Sequence, residues 1–184
     1  MYSVKISSKT SSMTSSVQQR RRLQRLLKYY PPFLGAGIKV KCISEDVRTI
    51  EVHMPLRFWN RNYVGTHFGG SLYSMCDPFF MLILSSHLGR DYIVWDKAAT
   101  IRFKKPGRGV VKATFSIPEE RVNEIRAQAD AQDKTEPQFQ VAVTDSDGNV
   151  VAEVDKLLYV RRKDRPRPRA QSLPPTQAKT LISQ

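Results

Sequence analysis

The 184-residue chain carries only two cysteines, Cys42 and Cys76. Two thiols so placed give neither a zinc-ligand spacing nor a disulfide framework. A reduced, intracellular setting is the default that follows. No apolar run of membrane-span length is present, because the one candidate, residues 69–88, is interrupted by Asp77 and Pro78. The N-terminus lacks the apolar core of a secretory signal. There is no internal repeat. No His/Cys/carboxylate cluster has metal-ligand spacing, so neither a metal nor a cofactor is implied. The first thirty residues contain seven Lys/Arg and no acid. Such Ser- and Arg-rich, acid-free composition reads either as a frayed basic arm or as a mitochondrial transit peptide, the alternative to a cytoplasmic location.

The net charge of +13 suggests a nucleic-acid partner until it is located. Residues 31–160 hold sixteen basic and sixteen acidic residues and are neutral as a whole. All of the excess sits on the two ends. That is the pattern of solvated tails rather than of a basic binding face.

Residues 1–16 are rich in Ser, Thr and Lys and are expected to be a disordered arm. Residues 17–30 place Val17, Leu23, Leu26, Leu27 and Tyr30 at helical spacings, and Pro31-Pro32 ends that helix. Alternating apolar and polar residues predict a hairpin over 36–44 and 47–54. Strands are expected over 92–103 and 110–117, with Trp95, Lys97, Ala99, Ile101 and Phe103 on one parity. A helical excursion follows over 118–134, with Arg121, Val122, Ile125 and Ala129 along one side. Residues 139–144 and 150–160 form a second hairpin about the turn-forming stretch Asp145 to Asn149. Residues 164–184 read as a disordered Arg/Pro-rich tail. One folded domain over 17–163 remains.

At its centre lies a Gly69-Gly70 pair opening an apolar run that Gly89 closes. A run apolar on all sides belongs inside a fold, and a carboxylate there is costly unless paired, hydrated or used. Antiparallel strands in series, with one such helix to bury, predict an α+β sheet wrapped around one long central helix.

That architecture, with Asn62-x-x-Gly65-Thr66-x-x-Gly69-Gly70-x6-Asp77, resembles the hotdog-fold acyl-CoA thioesterases. The spacing is similar to the phenylacetyl-CoA thioesterase-like branch, whose pattern is Asn-x-x-Gly-Thr-x-His-Gly-Gly-x6-Asp. Asp77-Pro78, Gly89 to Tyr92, Val94 to Ala99, Phe103-x-x-Pro106-Gly107 and Leu158 to Arg162 resemble an uncharacterised bacterial branch with Phe before the glycine pair. There is one departure: Phe68 stands where the active branch has His, and the histidine is one place earlier, at His67.

The resemblance implies hydrolysis of an acyl-CoA thioester, with acyl-CoA as the partner molecule and a homodimer or homotetramer as the assembly. Asp77 is the candidate general base or nucleophile; the alternative is a buried carboxylate that caps a loop. Gly69 and Gly70 are candidates for an oxyanion site through free helix N-terminal N–H groups, or are a plain tight turn. Asn62 is a candidate for holding the water or orienting Asp77, or is a turn residue. His67 is a candidate acid/base group. Ser71 and Ser74 are candidate hydrogen-bond donors to Asp77, or helix-packing serines. Phe68 and Ser74 are assigned to the substrate side. Lys104, Lys105 and Arg108 are candidate contacts for coenzyme A phosphates, or solvated charges. A non-catalytic acyl-CoA or fatty-acid binding protein is the rival function, followed by a DNA-binding regulator with a hotdog sensor.

Overall fold

The computed structural model describes residues 7–164, with side chains from residue 17 onward. The expected tail lies outside the described residues except for Asp164, and so do residues 1–6 of the expected arm. Helix α1 spans Ser7–Lys28 and thus starts N-terminal to the expected residue 17. No Gly or Pro occurs between these ends, so nothing in the chain interrupts the helix. Leu23 and Leu27, one turn apart, are its buried contacts; Val17, Leu26 and Tyr30, expected on the same stripe, are exposed. The prolines that end α1 also start α2 (Pro31–Ala36), where a first-turn Pro loses no hydrogen bond. Gly37 closes α2 in the left-handed region at φ 75°.

Six strands follow: β1 (Lys39–Ile43), β2 (Thr49–Pro55), β3 (Tyr92–Phe103), β4 (Val110–Ser116), β5 (Gln138–Thr144) and β6 (Val150–Arg162). They form one antiparallel sheet in the order β1-β2-β4-β5-β6-β3, so β1 and β3 are the edges. Burial alternates along β2 and β4 as a half-covered sheet requires. Ile50, Val52 and Met54 of β2 point inward with Val111, Ala113 and Phe115 of β4 and with Val154, Leu158 and Val160 of β6. The β3–β6 register shifts between Asp96 and Ala98, and this bulge breaks the single parity expected from Trp95 to Phe103.

The sheet wraps the central helical run, which is in two pieces. Helix α3 is Gly69–Ser74 and α4 is Phe79–Leu88. Pro78 has no N–H to continue the ladder, and the chain turns between them. Phe79 is the packing centre. Its ring lies 5.7 Å from Phe33 and 4.7 Å from Phe115, joining α2, α4 and β4. Truncating such a ring to Ala costs about 3–5 kcal/mol. Helix α5 (Glu119–Ala131) buries Val122, Ile125 and Ala129. Arg121, expected on the same side, instead pairs with Glu124 at 2.6 Å.

Candidate functional site

The loop before α3 is organised by Asn62. Its Oδ1 accepts N–H bonds from Val64 (3.1 Å) and Thr66 (3.0 Å). Its Nδ2 donates to Thr66 Oγ1 (2.8 Å) and to the His67 carbonyl (3.3 Å). Both amide hydrogens and the acceptor oxygen are therefore used inside the loop. Gly65 takes the left-handed turn at φ 81°. Next along the chain, His67 is buried: its Nε2–H donates to the Gly109 carbonyl (3.1 Å) and its Nδ1 has no partner. Burial holds the imidazole below its ordinary pKa, against a smaller upward pull from the Gly109 carbonyl. His67 is thus a neutral tether between this loop and the β3–β4 turn.

Gly69 and Gly70 occupy the first two positions of α3, where N–H groups have no partner within the helix. Aromatic rings crowd both. A Cβ on Gly69 would lie 2.9 Å from Phe103 Cζ, and one on Gly70 would run into Phe68 Cε1. The requirement for glycine is spatial here, not conformational, and Phe68 lies over the second of the pair. Ser74 Oγ–H donates to the Gly70 carbonyl at 2.8 Å and is spent within α3 rather than on Asp77.

A cleft of about 500 Å³ lies beside this helix start. Asn62, His67 and Gly69 line it together with Lys104, Lys105 and Arg108 from the β3–β4 turn. Lys104 is held by Glu153 at 3.0 Å and Lys105 by Asn149 at 3.1 Å. Arg108 makes no ion pair among the described residues. Six of the eleven candidate residues from the sequence therefore meet at one cleft.

Asp77 is not among the residues that line it. It stands in the break between α3 and α4, and its side chain is 52% exposed, not buried as its place in an apolar run suggested. Pro78 ends the helical ladder, so Asp77 turns outward while Cys76 before it and Phe79 after it stay buried. Burial pushes the Cys76 thiol up to about 12, so it is no thiolate nucleophile.

Asp77 is tied to a residue that the sequence reading missed. Lys156 sits on the inner face of β6, with Val154 and Leu158 on either side in the same row, and its side chain is fully buried. Its Nζ lies 3.3 Å from Asp77 Oδ1 and 3.1 Å from Asp96 Oδ2, and 5.4 Å from the Tyr73 ring centroid. Burial lowers the ammonium pKa, but the two carboxylates outweigh it and the net shift is upward. Asp96 comes from the β3 bulge; burial raises its pKa despite Lys156, and its Oδ1 is buried without a partner. The available signal was a lysine in phase with the apolar residues of a period-2 strand.

Among the described residues, no group of three or more His, Cys, Asp or Glu is placed to hold a metal. None of their helices is long and apolar enough to cross a membrane.

An antiparallel sheet wrapped around a central helix is the hotdog fold, and known structures agree. The chain superposes on PA5026 of Pseudomonas aeruginosa, a protein of unknown function described as a "Probable Thioesterase", with TM-score 0.70, 21% identity, and 77% of this chain and 95% of that one covered. For the thioesterase HI1161 of Haemophilus influenzae the values are 0.57, 16%, 78% and 90%. For the E. coli PaaI protein of the phenylacetic acid degradation operon they are 0.56, 19%, 82% and 95%. The chain belongs to the family described as a domain of unknown function, DUF4442, whose model matches residues 19–160. No curated protein matches the sequence.

Proposed function

We propose that the protein hydrolyses an acyl-CoA thioester to the free acid and coenzyme A. The observation that carries this reading is Asp77: a half-exposed carboxylate in a helix break, fixed through Oδ1 by a fully buried lysine. Its Oδ2 has no protein partner among the described residues and is left to take a proton from water. The water oxygen then attacks the thioester carbonyl. The resulting oxyanion is met by the Gly69 and Gly70 N–H groups. The C–S bond breaks, and the coenzyme A thiolate leaves and is protonated. Arg108, with Lys104 and Lys105, suits the phosphates of the leaving group. Asn62 and His67 act as positioning residues: the Asn62 amide is spent within the loop, and His67 Nε2 is committed to the Gly109 carbonyl.

One chain brings Gly69 and the cations together but leaves Asp77 outside their cleft. A homo-oligomer in which Asp77 of one copy faces the cleft of another completes the set. The edge strand β3, with a full row of backbone groups to pair, supports assembly through that edge.

The second reading is a protein that binds acyl-CoA without turnover. It is favoured by the Phe68 ring over Gly70. Thiol release from a panel of short, long and aryl acyl-CoA esters separates the two. Turnover by the parent and its loss in Asp77→Asn support the hydrolase. Unchanged acyl-CoA binding with no release on any ester refutes it for these substrates and supports the binder.

A further inference from the structure

A second cavity lies between α1, α2 and β1, away from the glycine pair. It measures about 530 Å³, within the ~300–1,000 Å³ range of small-molecule sites. None of its lining residues lines the cleft at Gly69. Its inner wall is apolar: Leu27, Phe33 and Ile38 are all buried. Trp59, half-exposed, closes another side.

That wall is held in place. Asn60 Nδ2 donates to the Ala36 carbonyl (2.9 Å) and to the Pro55 carbonyl (3.0 Å), fastening the Trp59 loop to α2 and β2. Gly37 lets the two approach: a Cβ there would lie 2.9 Å from Asn60 Nδ2 and 3.7 Å from Trp59 Nε1.

The rim is cationic. Lys28 and Lys39 line the cavity, and Arg21 and Arg25 border it along α1. Residues 17–44 contain no acid. Among the described residues, none of these four cations has a carboxylate partner. An apolar chamber whose rim cations have no carboxylate partner complements a single apolar chain that ends in an anion. A neutral apolar molecule would leave the cations unused, and a nucleic acid would leave the apolar wall unused.

We infer that this cavity binds a long-chain carboxylate of the fatty-acid type. The chain lies against Leu27, Phe33 and Ile38, and the carboxylate meets Lys28 and Lys39. This site is independent of the hydrolase reading, because it uses neither Asp77 nor the glycine pair.

The chain has two tryptophans, so Trp95→Phe leaves Trp59 as the only one. Titrating the full-length Trp95→Phe protein with monomeric dodecanoate should change Trp59 emission saturably, one ligand per chain. Reversing both rim lysines (Lys28→Glu with Lys39→Glu) should weaken binding by about tenfold or more. Filling the cavity with Val40→Phe should also weaken it, and dodecyltrimethylammonium should bind far less well. Should Val40→Phe fail to fold in a thermal melt, the two exposed lysines still carry the test. Equal affinity for the cationic and anionic amphiphiles overturns the inference, as does full affinity in the lysine variant. A Trp59 response to phosphatidylglycerol vesicles with none to dodecanoate also overturns it, by assigning the surface to a membrane.

Discussion

Replacing Lys156 by Met tests the buried charge cluster most directly. Methionine fills a similar volume, so the perturbation is electrostatic rather than steric. Lys156 has no side-chain exposure and lies 3.1 Å from Asp96, which is only 20% exposed. Without the ammonium, Asp96 becomes a mostly buried carboxylate with no counter-charge and with a buried Oδ1 already unpartnered. Removing one partner of a buried pair costs about 3–5 kcal/mol, a large share of the ~5–15 kcal/mol that holds a domain. Asp77, half-exposed, adds no more than about 1 kcal/mol, because water screens its side of the cluster. In urea unfolding, with a slope near ~2 kcal/mol/M, the midpoint should drop by about 2 M at unchanged slope. The loss should also depend on pH. Burial raises Asp96 above its ordinary carboxylate value even with Lys156 pulling it down; without that pull it titrates higher still, so the cost is present above the variant's folded pKa and eases as pH falls through it. Adding Asp96→Asn to Lys156→Met should restore much of the midpoint. A single variant within about 1 kcal/mol of the parent at neutral pH, or no recovery in the double variant, would refute the reasoning.

Gly69→Ala and Gly70→Ala meet only the far ends of the Phe103 and Phe68 rings, both exposed. Both should fold within about 1 kcal/mol of the parent by thermal melt, while thioester turnover falls because the approach to the helix start is blocked. Gly37→Ala puts a side chain at φ 75° and against Asn60 Nδ2; a loss of at least about 1–2 kcal/mol in urea unfolding is expected. Burial depresses both His67 and His87, with Arg48 adding to the effect at His87. Their contribution is therefore complete above the unfolded value of 6.5 and is lost as pH falls from there through the folded values. Replacing both by Gln should flatten the stability–pH curve between 6.5 and the carboxylate range, as measured by denaturation midpoints.

Much of the fold was legible because local pattern and tertiary role agree. The alternation in 49–55 and 110–116, the Pro31-Pro32 stop and the Asp145–Asn149 turn each say in a few residues what the whole fold requires. The central helix was legible as a buried run but not as two pieces, since Pro78 signals a kink without stating its size. Asp77 was singled out by the rule that acids do not sit in apolar runs, yet the break turns it outward. Lys156 was overlooked for the opposite reason: lysine is so often solvated that its phase with Val154 and Leu158 drew no notice. Its partners are 79 and 60 positions away in the sequence, and only the β3 bulge and the helix break bring the three together. The cavity beside α1 depends on how α1 and α2 settle against β1, which no periodicity encodes.

Asn62 shapes its loop from within. Its side chain closes the loop on itself and offers nothing outward. The string Asn62-x-x-Gly65-Thr66 is thus a folding instruction, a knot of hydrogen bonds that sets where α3 begins. The loop can keep its shape whatever side chain stands at Phe68, because none of these bonds uses that side chain.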